Sequence, residues 1–127
     1  VYLGAAACPG LSAASVFYAP GLHPSFGSNM MKSLGGGPSP FERTASIQCP
    51  ILGNLGAIDS NVPVADMLKI EAELQRLGKT CDFKIYAGAE HSFYCHDRVT
   101  YHKEAAKDAW DRTLNWFEKY LSPSTLA

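Results

Sequence analysis

Two short apolar segments that end in turns, with an amphipathic segment between them, constrain this chain most. Ile51–Gly56 is an almost unbroken apolar run of strand length, and Cys81–Tyr86 is a second run of that length containing Phe, Ile and Tyr. Residues 63–77 between them have helical periodicity. A strand, a helix and a second strand in this order predict a βαβ unit, in which the strands are parallel and the crossover is right-handed.

The predicted helix between these strands has boundary residues at both ends. Pro63 stands near its start, where a missing N–H costs little, and Ser60 or Asn61 is able to cap it. Gly78 follows its last apolar residue, as glycine does beyond a helix C-terminus. Its apolar side chains recur at spacings of three, four and three along one stripe: Met67, Ile70, Leu74 and Leu77.

The chain before Ile51 extends this pattern. Val1–Ala7 is apolar and alanine-rich with no N-cap residue before it, so we interpret it as the end of a buried helix whose beginning is missing. Leu11–Tyr18 predicts a strand of a parallel sheet covered on both faces. Gly21–Gln48 contains a glycine triplet and three prolines and predicts a long irregular loop, with one short helical turn at residues 41–46.

The C-terminal part predicts an edge strand and a long helix. Cys81–Tyr86 partly alternates, with Phe83 and Ile85 on the face expected to be more buried, which is typical of a strand near a sheet edge. A helix is expected from about residue 101 or 103 to the stop at Pro123. Its predicted sheet-facing stripe is Ala106, Trp110, Thr113, Phe117 and Tyr120, widened by Leu114 and Leu121. We therefore predict an α/β fold with a mostly parallel sheet flanked by helices.

Composition excludes several classes of protein. The 127 residues are 46% hydrophobic, enough for one modest domain with a core. Eleven basic and twelve acidic residues give a net charge of −1, which disfavours a nucleic-acid or membrane-surface partner. No apolar run approaches the roughly 20 residues that a membrane helix needs. The four cysteines form no Cys-x-x-Cys pair, and we expect a reduced, cytoplasmic protein.

An acid and a histidine follow two neighbouring strands of the predicted sheet. Asp59 comes just after Ile51–Gly56, and His91 comes just after Cys81–Tyr86. Ligand-binding and catalytic residues of open α/β sheets lie outside the carboxyl ends of the strands. The two side chains are therefore predicted to meet there as the orienting acid and general base of a hydrolase. The competing interpretations are that Asp59 is a turn or cap residue and that His91 is structural.

A nucleophile for this pair is not found. Residues 6–10 imitate a Gly-x-Cys-x-Gly elbow, but Pro9 after Cys8 has no N–H for an oxyanion hole, and a strand rather than a helix follows. Cys95 lies in the same loop as His91 and is a poor candidate. Because the order in hydrolases of this kind is nucleophile, acid, histidine, we expect a Cys or Ser nucleophile upstream of Val1.

Cofactor and metal sites are weakly supported. His91, Cys95 and His96 could be proposed as metal ligands, but no second cluster completes a site. The triplet Gly35 to Gly37 is not followed by a phosphate-binding motif, and no glycine fingerprint of a nucleotide binder is present. We therefore expect neither a metal nor a cofactor.

Four blocks of the sequence, in order, resemble the dienelactone hydrolase family of α/β-hydrolases. Phe17-Tyr18-Ala19 resembles the Phe-Tyr-Gly end of a family strand, and Cys49–Pro63 resembles the family's apolar strand with Gly-x-x-Asp and Val-Pro. Tyr86–Phe93 resembles the segment Tyr-x-Gly-x-x-His-Gly/Ser-Phe. The last block resembles the family's closing helix through Arg98, Tyr101, Ala105, Ala106, Ala109 and Trp110.

The resemblance implies that residues 1–127 are the C-terminal portion of a single α/β-hydrolase domain. It implies Asp59 and His91 as triad acid and base, a nucleophile upstream, usually Cys, and small ester or lactone substrates. Some members hold a substrate carboxylate with Arg four residues after the histidine; Cys95 stands there, which disfavours dienelactone itself. We expect the 127-residue chain alone to be inactive.

The alternative is a non-catalytic binding module of the same fold, which an upstream sequence without a Gly-flanked Ser or Cys would favour. The substrate-binding residues, the oligomeric state and the role of the Gly21–Gln48 loop are left open by the sequence.

Overall fold

A computed structural model of the chain describes residues 1–19 and 35–123. Its helices and strands, numbered here in chain order, are α1 (Tyr2–Ala7), β1 (Ala14–Phe17), β2 (Ile51–Gly56), α2 (Val64–Arg76), β3 (Cys81–Tyr86) and α3 (Lys103–Leu121). The predicted order of helices and strands is confirmed, and both strands of the βαβ unit have the predicted bounds. A 3-10 turn at Thr44–Ser46 lies within the predicted helical turn, whereas much of the Gly21–Gln48 loop lies outside the described residues.

The three described strands form one parallel sheet in the order β1-β2-β3. In the register, Ile51 is opposite both Ala14 and Cys81, and Gly56 is opposite Tyr86. All six residues of β2 are buried, as expected for a strand that is covered on both faces. β3 lies at one end of the described sheet, which agrees with the predicted edge position.

Helices cover both faces of the sheet. On one face α1 and α2 pack on alternate residues of β2, in a cluster that includes Tyr2, Ile51, Leu55, Ile70 and Leu74. On the other face lies α3, where Arg112 bonds to the side chain of Asn54 from β2. This arrangement confirms the predicted α/β fold. In the part of the chain that the structure describes, no helix is long and apolar enough to cross a membrane.

The C-terminus of α2 agrees with the prediction, and its N-terminus does not. Gly78 has a φ of 68° and follows a Schellman end, in which Lys79 N–H bonds to Leu74 O (2.8 Å) and Gly78 N–H to Gln75 O (2.9 Å). At the start, however, Pro63 is the N-cap and no side chain caps the helix. The prediction that Ser60 or Asn61 caps it is therefore wrong.

The buried face of α3 also differs from prediction. Its buried residues are Ala105, Ala106, Ala109, Thr113 and Trp116. Trp110 (46% exposed), Leu114 (49%) and Leu121 (45%) were predicted to face the sheet and do not. Hydrophobicity favours the large side chains, but small residues allow a helix to pack closely. Arg112 and Thr113 then bond to side chains of the sheet.

The two faces of β3 are less distinct than predicted. Phe83 is only half-buried, Ile85 is 36% exposed, and Tyr86 on the expected wetter face is buried. The Tyr86 hydroxyl donates to Asp108 Oδ2 (2.8 Å), which satisfies the polar end of the ring. A tyrosine can therefore be buried under α3, where the alternation alone predicts an exposed side chain.

Candidate active site

The loops after β2 and β3 are joined by backbone hydrogen bonds. Ala57 N–H donates to Tyr86 O (2.9 Å), and Ile58 N–H donates to Ala89 O (3.1 Å). These bonds continue the strand pairing past the end of the sheet. They hold the loop that carries Asp59 against the loop that carries His91.

Gly56 makes this close approach possible. A Cβ atom at this position would lie 2.2 Å from the backbone oxygen of Ala89 and 3.0 Å from that of Glu90. Both neighbours are backbone atoms, which cannot turn away as a flexible side chain could. The glycine is therefore required by the contact between the two loops rather than by its own φ.

Asp59 and His91 meet at this edge, as the strand-end argument predicts. Asp59 Oδ2 lies 2.9 Å from His91 Nδ1. The Asp59 side chain is fully buried, whereas that of His91 is 25% exposed. The acid is thus shielded from solvent while the imidazole can still reach a ligand.

The other carboxylate oxygen of Asp59 orders its own loop. Oδ1 accepts hydrogen bonds from the N–H groups of Asn61 (2.8 Å) and Val62 (2.9 Å). The interpretation of Asp59 as a turn residue and its contact with His91 therefore hold together. With three donors around it, the carboxylate has a fixed position from which to orient the imidazole.

The hydrogen bond to Asp59 assigns the tautomer of neutral His91. A buried carboxylate accepts, so Nδ1 carries the proton and Nε2 keeps a free lone pair. This is the arrangement in which a histidine acts as a general base.

Two non-glycine residues beside the site have left-handed backbone conformations. Ser92, directly after His91, has a φ of 65°, and Tyr18, directly after β1, has a φ of 33°. Such conformations are strained for residues with a Cβ and occur preferentially at functional sites.

Tyr18 is a site residue that sequence reasoning missed. Its ring meets the His91 ring edge-to-face at a centroid distance of 5.1 Å, and it contacts Phe93 at 5.5 Å. Burial raises the pKa of its hydroxyl above the ordinary value for tyrosine. The available signal was its place at the carboxyl end of β1, on the same sheet edge as Asp59 and His91.

A hollow of about 450 Å³ lies beside Tyr18, on the segment that follows His91. It is lined by Tyr18, Tyr94, Cys95, His96 and Asp97. Within residues 1–19 and 35–123, no Ser or Cys side chain hydrogen-bonds to His91. Cys8 is exposed and follows helix α1, and a strand comes next, so it is not on a strand-to-helix turn.

The described residues contain no group of three or more His, Cys, Asp or Glu side chains able to hold a metal ion. All four cysteines are free thiols.

Comparison with known proteins finds a family model and several proteins that are similar to most of the chain. The model of the "Dienelactone hydrolase family" matches residues 1–121. A "Putative carboxymethylenebutenolidase" of Synechocystis is 33% identical over 121 residues, 95% of this chain and 46% of that protein. One of the same name from Methylorubrum extorquens is 37% identical over 82 residues, 65% of this chain and 28% of that protein.

A solved structure agrees with these relatives. The crystal structure of a "Putative Dienelactone Hydrolase" from Klebsiella pneumoniae superposes with a TM-score of 0.81 at 32% identity, over 94% of this chain and 47% of that one. The chain thus spans about half the length, or less, of the proteins that it matches.

Proposed function

The chain belongs to the dienelactone hydrolase family, and from this premise we propose that it provides the acid and base of an enzyme that hydrolyses ester or lactone bonds of small molecules. Asp59 and His91 are the two catalytic residues in this proposal. The observation that carries it is the 2.9 Å contact between His91 Nδ1 and the fully buried carboxylate of Asp59. The names of the relatives support the reaction class.

In the first half of the reaction, His91 Nε2 accepts the proton of a Ser hydroxyl or Cys thiol as that group attacks the substrate carbonyl. Asp59 stabilises the imidazolium that forms and keeps its orientation. The tetrahedral intermediate collapses as its C–O bond to the leaving alcohol breaks, and His91 returns the proton to that alcohol. In a lactone the ring opens and the alcohol remains tethered.

In the second half, water attacks the acyl-enzyme and His91 accepts its proton. The bond to the nucleophile breaks, the carboxylic acid leaves, and His91 reprotonates the nucleophile. Two backbone N–H groups fix the carboxylate of Asp59. Its bond to Nδ1 and the edge contact with Tyr18 then hold the imidazole through both halves of the reaction.

We propose that the nucleophile lies in sequence that precedes residue 1 in the complete enzyme. The order nucleophile, acid, histidine of α/β-hydrolases supports this placement, as does the share of the relatives that the chain covers. The 127-residue chain alone is then inactive. No cofactor enters the proposed mechanism. Because all four cysteines are free thiols, we propose a reducing compartment such as the cytoplasm.

The hollow beside Tyr18 suggests a limit on the substrate. Cys95 and Asp97 line it, and its described lining contains no Arg or Lys. We therefore propose that neutral esters and lactones are preferred over substrates that place a carboxylate there.

The test is ester hydrolysis by a protein that carries this chain behind its natural upstream sequence. His91→Ala should reduce kcat/KM for 4-nitrophenyl acetate by at least about a thousandfold, because the general base is lost and Asp59 has no imidazole to orient. Val99→Ala is the control, since Val99 is fully exposed in the segment after His91 and lines neither hollow, and it should keep most of the activity. Turnover that survives His91→Ala would contradict the assignment and favour a non-catalytic binding module.

A further inference from the structure

A second hollow, of about 330 Å³, lies between the segment after His91 and the first turns of α3. Its described lining is Tyr94, His96, Tyr101, Lys103, Ala106, Lys107 and Trp110. The volume is in the range of small-molecule sites. Unlike the hollow beside Tyr18, it is lined by neither His91 nor the Tyr18 ring that contacts His91, so the proposed hydrolysis does not account for it.

Aromatic rings form most of its walls. The rings of Tyr94 and Trp110 lie 6.0 Å apart, and those of His96 and Tyr101 meet edge-to-face at 4.6 Å. Trp110 is 46% exposed and Tyr101 is 36% exposed. Large aromatic side chains that face water around a concavity are characteristic of binding surfaces for flat apolar groups.

The charge of the hollow has one sign. Lys103 and Lys107 line it, and no carboxylate does among the described lining residues. Lys107 Nζ is bonded to Asp111 Oδ2 (2.6 Å), whereas Lys103 has no ion-pair partner in residues 1–19 and 35–123. Lys103 is therefore the cation available to an incoming anion.

We propose that this hollow binds small aromatic carboxylates, with the ring against Trp110 and Tyr94 and the carboxylate at Lys103. A bare inorganic anion would leave the aromatic walls uncovered, and a neutral ring would leave the ammonium group without a partner. The site goes beyond the proposed hydrolysis, because binding requires neither the acid nor the base of that reaction.

The test is a titration with benzoate of the protein that carries this chain behind its natural upstream sequence, followed by ¹H–¹⁵N NMR. The indole N–H signal of Trp110 should shift saturably, whereas that of Trp116, on the buried face of α3, should stay in place and serve as an internal control. Benzyl alcohol and acetate, which lack the charge and the ring respectively, should each bind at least about fivefold more weakly.

Four variants sharpen the test. Lys103→Gln should weaken benzoate binding about threefold to tenfold, and Trp110→Ala at least about tenfold, while the same loss of charge in Lys69→Gln on α2 should have no effect. His91→Ala should leave the affinity unchanged, so failure of the hydrolase proposal would be separable from failure of this one. Absence of saturation, or equal affinities for benzoate and benzyl alcohol, would overturn the proposal.

Discussion

At the carboxyl ends of β2 and β3, backbone hydrogen bonds join the two loops, whereas along the face covered by α3, side-chain hydrogen bonds join the helix to the sheet. The two loops at the site are linked through Ala57, Ile58 and Ala89, with Gly56 leaving room for the approach. Under α3, the amide of Asn54 bonds to Arg112 (3.0 Å). A substitution in the first region is expected to displace the backbone, whereas a substitution in the second can remove a side-chain contact and leave the backbone in place.

The largest effect is expected for Gly56→Ala. The new Cβ would overlap the backbone oxygen of Ala89, so the two loops must separate, at a cost of about 3 kcal/mol in the free energy of unfolding. Urea unfolding followed by circular dichroism measures this. Gly10→Ala is the control, because a Cβ there meets nothing within 4 Å. Similar midpoints for the two variants would show that the loops are not in tight contact.

A smaller loss is expected for Asp59→Ala. It leaves the N–H groups of Asn61 and Val62 and the His91 ring without their common acceptor, which should cost about 2 kcal/mol. The same unfolding measurement applies, with exposed Asp97→Ala as a control that should stay within about 0.5 kcal/mol of the parent chain. A neutral result for Asp59→Ala would mean that Asp59 does not order its loop.

The smallest effect concerns Tyr86 in the side-chain region and appears at high pH. Burial raises the pKa of Tyr86 from the ordinary value of 10.0 to about 12, so folding favours the neutral phenol. Its contribution to stability is complete below pH 10 and is lost as the pH rises through about 12. The urea midpoint should therefore fall between pH 10 and pH 12, and less steeply in Tyr86→Phe.

Tyr2 must be separated from Tyr86 in that experiment. Burial also raises the pKa of Tyr2 to about 12, and its hydroxyl bonds to Thr44 Oγ1 (2.7 Å) on the opposite face of the sheet. Tyr2→Phe should remove a comparable part of the slope, and the double variant should have a smaller slope than either single variant, with Tyr18, whose pKa burial also raises, among the groups that remain. A parent chain with no slope would contradict the burial of both phenols.

The contact between Asp59 and His91 was predictable because the ends of strands can be recognised from local sequence. The apolar runs before Asp59 and His91 and the breaks after them place both side chains at one sheet edge, and parallel pairing brings them together. The role of Tyr18 beside His91 was not predicted, because one aromatic residue at the end of a strand forms no recognisable sequence motif. Its contact with His91 depends on a backbone φ of 33° that a sequence does not reveal.

The sequence by itself determined the order of helices and strands, the parallel sheet and the position of Asp59 and His91 at its carboxyl edge. Only the tertiary structure decided which face of α3 is buried. Periodicity favoured the large side chains of Trp110 and Leu114, but Ala105, Ala109 and Thr113 lie against the sheet. Hydrophobicity measures the free energy that a side chain gains by leaving water. Helix–sheet packing also depends on the size of the side chain and on its polar partners in the sheet, which the sequence of the helix does not contain.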